Sequence, residues 1–371
     1  MNILYGHQIF TRQTFGGVSR YFHEISKRIP MLTGDSAEVF APLHVNAYLT
    51  QNPRLLRPSV QLNKFRGGAA ILGSFNACLG LFGTSRNKHV DIYHPSYYPQ
   101  VDYRPKNSGL IVTVFDMIHE LEPASFSRFD PTAKLKRRAV ASADHVICIS
   151  GNTQRDLVDI TGVKIEKTSI IHLGHSLGPP AHRDMTRPLL DRPFILHVGQ
   201  RGGYKNFPLL IEAFASSREL TRTHTLVCFG GGGFTGHELA MARAFGLSHN
   251  NLRHMDGNDA QLSRLYASAD VFVYPSRYEG FGIPLLEAMS RGCPVACANT
   301  SSLPEVAGPA AEYFDPNDPT DLRRAMETVI TAPGRAAQLS DFSHVRSSQF
   351  SWDKCATATH AQYLRISGNL P

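Results

Sequence analysis

Two carboxylates bracket a glycine-bearing turn in Glu279-Gly-Phe-Gly-Ile-Pro-Leu-Leu-Glu287. Pro284 suits a helix start, where its missing N–H costs nothing, so Glu279 falls on a loop and Glu287 on the helix that follows. Glycine permits close approach and a helix N-terminus favours negative charge. The N–H groups of Gly280, Phe281 and Gly282 can therefore face a phosphate, while the carboxylates accept hydrogen bonds from sugar hydroxyls. Alone, the spacing also fits a capped surface helix after a tight turn. A second segment shifts the balance. Phe194-Ile-Leu-His-Val-Gly199 reads as a strand, Gln200-Arg-Gly-Gly-Tyr-Lys205 as a loop opened by Gly199, and the apolar run Leu209-Leu-Ile-Glu-Ala-Phe214 as a helix. Strand, glycine loop and helix hold phosphate in α/β sheets, and Arg201 and Lys205 add two cations to the backbone donors. A cationic clamp and a carboxylate pair that grips hydroxyls together point to a nucleotide-diphosphate sugar.

These residues resemble the donor site of retaining glycosyltransferases of the GT-B fold, glycosyltransferase family 4, and the likeness covers most of the chain. Phe15-Gly-Gly-Val-Ser-Arg-Tyr-Phe22 is similar to the glycine loop that opens the family's first helix. Asp91-Ile-Tyr-His-Pro95 and Val112-Thr-Val-Phe-Asp-Met-Ile-His-Glu120 resemble its strand ends, and Phe350-Ser-Trp-Asp353 the start of its last helix. The resemblance implies an α/β protein of two Rossmann-like domains facing each other across a cleft. Residues 1–180 would form the acceptor side and 181–351 the donor side, with a helix from about 352 to 371 crossing back to the first domain. The nearest branch resembles the mannosyltransferases that build bacterial surface polysaccharides. It implies transfer of a hexose, mannose or a related deoxysugar from a GDP donor, to a growing, lipid-linked glycan such as O-antigen or capsule. A UDP-hexose donor, a catalytically silent partner subunit and a sugar-nucleotide epimerase are the alternatives.

Cleavage of a sugar–phosphate bond builds negative charge on the departing diphosphate, so catalysis calls for cations and backbone donors there. Arg201 and Lys205 fill that need, Glu279 positions the donor sugar, and by the resemblance Glu287 holds the ribose. Gly16 and Gly17 open the first helix and can add N–H donors. No Asp-x-Asp pair occurs in the sequence, so we expect metal-independent transfer with no cofactor. Asp116, His119 and Glu120 follow the apolar strand 110–115 and fall at a carboxyl end, where α/β sheets place their ligands. Relatives often carry a histidine directly before that aspartate, whereas this chain has Phe115. Asp116 then holds sugar hydroxyls and His119 fills the missing role or meets the acceptor. His94 and Glu120 are further acceptor candidates.

Strand and helix signals that would position these groups alternate throughout. Strands are expected at 2–5, 37–40, 91–93, 110–115, 145–150 and 168–171, then at 194–198, 225–229, 251–255, 271–274, 295–298 and 311–314. Helices are expected at 19–28 and 131–142, and at 207–216, 236–244, 259–268, 284–291 and 319–331 in the second half. Such alternation implies parallel sheets covered on both faces. Residues 172–193 carry Pro179, Pro180, Pro188 and Pro193 and read as a linker. Gly230-Gly-Gly-Gly233 lacks the lysine and hydroxyl of a P-loop and reads as a flexible loop. The 371 residues, 42% of them hydrophobic, suit two globular domains. Six cysteines without a C-x-x-C pair indicate neither zinc nor a disulfide framework. The N-terminus lacks a leader pattern, so a cytoplasmic location is expected. A net charge of +7 is compatible with phosphorylated ligands or an anionic membrane. Nucleic acid is disfavoured because no nucleic-acid-binding signature occurs. Lys134-Leu-Lys-Arg-Arg138, and the apolar stretch 69–83 with Lys64, Arg66, Arg86 and Lys88 around it, would place the protein peripherally on the inner membrane. A solvated helix face and a core helix are the plainer readings of these two segments.

Overall fold

The apolar runs become strands of two separate parallel sheets in the computed structural model, which describes residues 1–51, 58–65, 67–83, 89–176 and 190–368. The chain divides into a first unit, Met1–Gly174 with Ser351–Pro371, and a second, His175–Phe350. Of the expected linker, residues 177–189 lie outside the described residues, as do Arg66, Arg86 and Lys88; 172–176 and 190–193 are irregular.

In the first unit the strands are β1 (Asn2–Tyr5), β2 (Ser36–Val39), β3 (Leu43–His44), β4 (Val60–Gln61), β5 (Ile92–His94), β6 (Gly109–Val114), β7 (His145–Cys148) and β8 (Thr168–Ile170). Six of them form one parallel sheet in the order β2-β1-β5-β6-β7-β8, and β3 and β4 pair separately. A sheet covered by helices on both faces needs apolar residues throughout each strand. Leu110, Ile111, Val112 and Val114 are accordingly all buried. The chain leaves this unit at Gly174 and returns at Ser351. The two segments touch so closely that a Cβ on Gly174 would lie 2.2 Å from the Trp352 backbone nitrogen, so only glycine fits. Ser351 caps the returning helix Trp352–Ser367, which lies along the helix Gly17–Thr33 and buries Trp352 and Tyr363.

The second unit carries β9 (Phe194–Val198), β10 (Thr225–Phe229), β11 (Leu252–Met255), β12 (Val271–Tyr274), β13 (Val295–Ala298) and β14 (Ala311–Phe314). Their order is β11-β10-β9-β12-β13-β14, all parallel, the doubly wound arrangement in which the strand sequence reverses beside the first strand.

Where structure and expectation differ, packing or capping explains it. The first helix runs Gly17–Thr33 rather than 19–28, because Tyr21, Phe22, Ile25 and Ile29 bury one face and carry it past Pro30 to a left-handed Gly34. β7 stops at Cys148 because Ser150 caps an unanticipated helix, Gly151–Thr161, accepting from the Thr153 N–H at 3.0 Å.

Candidate functional site

In the second unit the strand sequence reverses between β9 and β12, and an open parallel sheet binds ligands outside the carboxyl ends of such strands. The loops leaving β9 and β12 carry the two motifs read from the sequence, and they meet there. Lys205 Nζ donates to Glu279 Oε1 at 2.6 Å and approaches the Tyr274 hydroxyl at 3.3 Å. Asn206, in the left-handed region at φ 59°, ties the loops together by donating to the carbonyls of Pro275 (3.2 Å) and Pro316 (2.8 Å). Burial opposes the Lys205 charge, but the Glu279 carboxylate outweighs it and raises the pKa, so the ammonium is locked on. Of its three N–H donors, at least one is left for a ligand.

Gly282 caps the helix Ile283–Ser290 at φ 102°, a conformation side chains rarely adopt. Phe281 is turned inward against Phe350, with ring centroids 5.8 Å apart, and its carbonyl accepts from Ser302 Oγ at 3.1 Å, so it anchors the turn. Ser302 Oγ also bonds the Glu279 carbonyl, and Ser301 Oγ accepts from the Glu279 N–H at 2.9 Å. Gly280 stays half-exposed between these anchors. Glu287 is buried within the helix.

Arg201 has a different position from the one its sequence suggests. Its guanidinium is nearly buried, with Nε on Glu238 Oε1 at 2.7 Å, Nη1 on the Gly230 carbonyl at 3.0 Å, and Nη2 on the carbonyls of Gly232 and Gly233 at 2.8 and 3.0 Å. It lies 5.0 Å from the Phe234 ring centroid. The run 230–233 is therefore wrapped around an arginine, with Gly230, Gly231 and Gly232 in the left-handed region, rather than being the flexible loop expected from its composition. A Cβ on Gly231 would meet the Gly199 carbonyl at 2.5 Å, which joins the first strand's end to this wrap. Glu238 also closes the capping box with Thr235. Burial works against its charge, and Arg201 overcomes that to hold the carboxyl below its usual range.

In the first unit, residues 116–120 fold around a lysine that the sequence had placed on the surface. Lys136, 1% exposed, donates to the Asp116 carbonyl at 2.8 Å and to Glu120 Oε2 at 2.7 Å, and lies 3.7 Å from Asp116 Oδ1. The cluster 134–138 is thus split: Lys134, Arg137 and Arg138 are exposed and Lys136 points inward. Glu120, an acceptor candidate, is committed to this buried pair. His119 stacks on Phe126 at 3.9 Å between centroids, lies 3.7 Å from Asp130, and leaves Nδ1 buried without a hydrogen-bond partner among the described residues. Burial lowers its pKa and Lys136 adds to that, against Asp116 and Asp130. Phe115 packs edge-on against Tyr21 at 5.4 Å, in the core beneath the loop. Gly16 and Gly17 open the first helix, where Gln13 Oε1 already accepts the Ser19 N–H at 3.2 Å.

His94 is not an acceptor group. It is fully buried, with Nδ1 bonded to the Tyr363 hydroxyl at 2.7 Å and Nε2 to Thr113 Oγ1 at 2.9 Å, and burial pushes its pKa down to about 3. The returning helix takes up the side chain that a strand end would otherwise present to a ligand. Sequence reading missed Glu238, Asn206 and Lys136. Thr235-x-x-Glu238 carried a capping-box signal, whereas nothing local marks Lys136 as buried.

Residues 181–344 match the family model described as glycosyl transferases group 1. The chain is 35% identical to O-antigen chain mannosyltransferase B of Escherichia coli over 181 residues, 46% of this chain and 45% of that protein. It spans less than half the length of that relative and under a third of the serotype-specific mannosyltransferases of the same species. Among solved structures it is similar to a sucrose-phosphate synthase from Thermosynechococcus elongatus, 18% identical with a TM-score of 0.77 over 100% of both chains. It is also similar to the Anabaena protein HepE, solved with UDP and glucose, 19% identical with a TM-score of 0.72 over 97% of this chain and 98% of that one. The chain has the GT-B fold, and the match to the group 1 glycosyl transferase model falls within its second unit.

Proposed function

We propose that the protein is a retaining hexosyltransferase that moves mannose or a related deoxysugar from a GDP donor to a growing, lipid-linked polysaccharide, without a metal. The observation that carries this reading is the 2.6 Å pair of Lys205 and Glu279 at the switch point, which unites the cation and the carboxylate of two distant motifs. Lys205 then neutralises the departing diphosphate with a donor left over from Glu279. Glu279 holds that lysine in place through Oε1 and turns Oε2 toward the donor sugar. Arg201 contributes through the wrapped loop 230–233, and Glu287 binds the ribose. Asp116 and His119 are the sugar and acceptor candidates of the first unit, and the departing phosphate takes the acceptor's proton. The mannosyltransferase relative supports mannose. UDP-hexose is the second reading, favoured by the UDP and glucose bound to the Anabaena fold neighbour.

The same reading places the protein on the cytoplasmic face of the inner membrane. Among the described residues no helix is long and apolar enough to cross a membrane. The helix Gly68–Gly83 nevertheless exposes Ile71, Phe75 and Leu79 at fourfold spacing, and Lys134, Arg137 and Arg138 are exposed nearby in sequence to the site loop. A thermal-shift panel of GDP-, UDP-, ADP- and dTDP-sugars tests the donor, since a ligand at about 100 times its Kd stabilises by roughly 2.7 kcal/mol. GDP-mannose should give the largest shift and an α-linked product. No shift with any nucleotide sugar would reject the transferase reading.

A further inference from the structure

The first unit has a switch point of its own. In the order β2-β1-β5-β6-β7-β8 the strand sequence reverses between β1 and β5, so the crevice outside their carboxyl ends is where this sheet is built to bind. A pocket of about 350 Å³ lies there, between the loop after β1, the segment after β5 and one face of the helix Gly68–Gly83. Its polar groups divide into two kinds. Gln8 is spent internally, donating to the hydroxyls of Tyr93 (3.3 Å) and Tyr103 (3.0 Å) and accepting from the Ser96 N–H at 3.0 Å. His7 is bonded to the Tyr103 hydroxyl at 2.7 Å, and burial keeps it neutral, with a pKa of about 4. Arg12 is the exception. Half-buried at the pocket, it makes no hydrogen bond or ion pair among the described residues and lies 5.6 Å from the Tyr97 ring centroid. Thr11 Oγ1 donates to the Gln8 carbonyl at 3.1 Å, and Ser74 and Gln100 are exposed. Among the described residues no acidic side chain lines the pocket, and its other walls are largely apolar, from Ala70, Gly73, Ala77, Tyr98 and Val101.

Volume alone admits a monosaccharide, since ligand pockets begin at roughly 300 Å³. A sugar would bury most of its hydroxyls against alanine, tyrosine and valine, with Gln8, His7 and Thr11 already committed and Ser74 and Gln100 exposed to solvent, and each unmet hydroxyl costs on the order of 1–3 kcal/mol. An anion on an apolar chain leaves no group unmet and uses the one spare cation. We infer that this pocket binds a phosphate carried on a hydrocarbon chain, with the phosphate at Arg12 and the chain along Gly73, Ala77 and Val101. Only its consequence, that the bound molecule anchors the acceptor glycan, rests on the transferase reading.

The test is calorimetric titration of the full chain, below micelle-forming concentrations, with farnesyl phosphate and separately with dihexanoyl phosphatidic acid. Farnesol, inorganic phosphate and free mannose serve as controls and GDP as an independent probe of the second unit. Binding of farnesyl phosphate supports a prenyl phosphate and binding of phosphatidic acid a glycerolipid phosphate. A Cβ at Gly73 meets nothing within 4 Å, so Gly73→Leu fills the pocket without a backbone clash. Gly73→Leu and Arg12→Gln should each weaken lipid-phosphate binding by about tenfold or more, equivalent to roughly 1.4 kcal/mol, while GDP binding and melting temperature hold. Unchanged affinity in both variants would overturn the site. Inorganic phosphate binding as tightly as farnesyl phosphate would remove the hydrocarbon chain from it, and mannose binding in its place would make it a sugar subsite. Failure of GDP to bind while the lipid phosphate does would count against the donor reading and leave this one standing.

Discussion

Replacing Lys136 by methionine should destabilise the first unit far more than a surface lysine would, and should do so through its partners. The side chain is 1% exposed and Glu120 is 11% exposed, so removing the ammonium leaves a carboxylate and the Asp116 carbonyl in a poorly solvated site. Breaking one side of a buried pair costs about 3–5 kcal/mol, against roughly 0–1 kcal/mol for an exposed pair. For a domain of this size each kcal/mol lowers Tm by about 2–4 °C, so the expected fall is on the order of 6–20 °C. Trp352 is the chain's single tryptophan and is buried in the first unit, so its fluorescence reports that unit's unfolding apart from the second. Adding Glu120→Gln to Lys136→Met should recover more than half of the loss, because the stranded charge disappears. In the single variant, transfer should fall through kcat as the 116–120 loop loses its anchor, with nucleotide affinity in the second unit retained. A Tm within about 2 °C of the parent would refute the buried pair. A double variant no better than the single would show that lost packing of the lysine stem, not charge, sets the cost.

Lys205→Ala should lower kcat by roughly two to three orders of magnitude, the usual effect of losing one preorganised donor, and Glu279→Gln should lower it less, because the lysine stays but is held more loosely; equal rates for variants and parent would remove the pair from catalysis. Arg201→Ala should act through the loop 230–233 as well as through charge, so that hydrogen exchange of those amides speeds up; unchanged exchange would contradict the wrap. Activity should survive excess EDTA, and a loss that Mg²⁺ or Mn²⁺ restores would sink metal-independent transfer. His94 gives a pH dependence of known sign. Its imidazole is neutral when folded, with a pKa near 3 against 6.5 when unfolded, so the unfolded chain binds the extra proton and stability is lost as pH falls below about 6.5. Between pH 7.5 and 5 that loss is about 2 kcal/mol, at 1.36 kcal/mol per pKa unit, and His94→Gln should lack it; parallel stability curves would reject a buried neutral imidazole.

Strand and helix alternation and the loop conformations around 200–205 and 279–287 were legible because each is a local property. A buried parallel strand is largely apolar, glycine is favoured where φ is positive, and a proline is tolerated at a helix start, so Phe194–Val198, Gly282 and Pro284 announce themselves without neighbours. That Lys205 meets Glu279 was only implied, since they are 74 positions apart and strand order, not spacing, brings their loops together. Side-chain direction was decided by tertiary packing alone. Lys136 sits among Lys134, Arg137 and Arg138 in a run that reads as solvated, yet it faces the sheet and carries the charge that Glu120 and Asp116 need. His94 stands at a strand end like a ligand group, yet Tyr363, arriving from 269 residues away on the returning helix, closes over it. Arg201 reads as a free cation until the glycines 230–233 fold around it. Local sequence determines which conformations a segment can adopt. Which polar groups remain free for a ligand depends on what the rest of the chain brings against them.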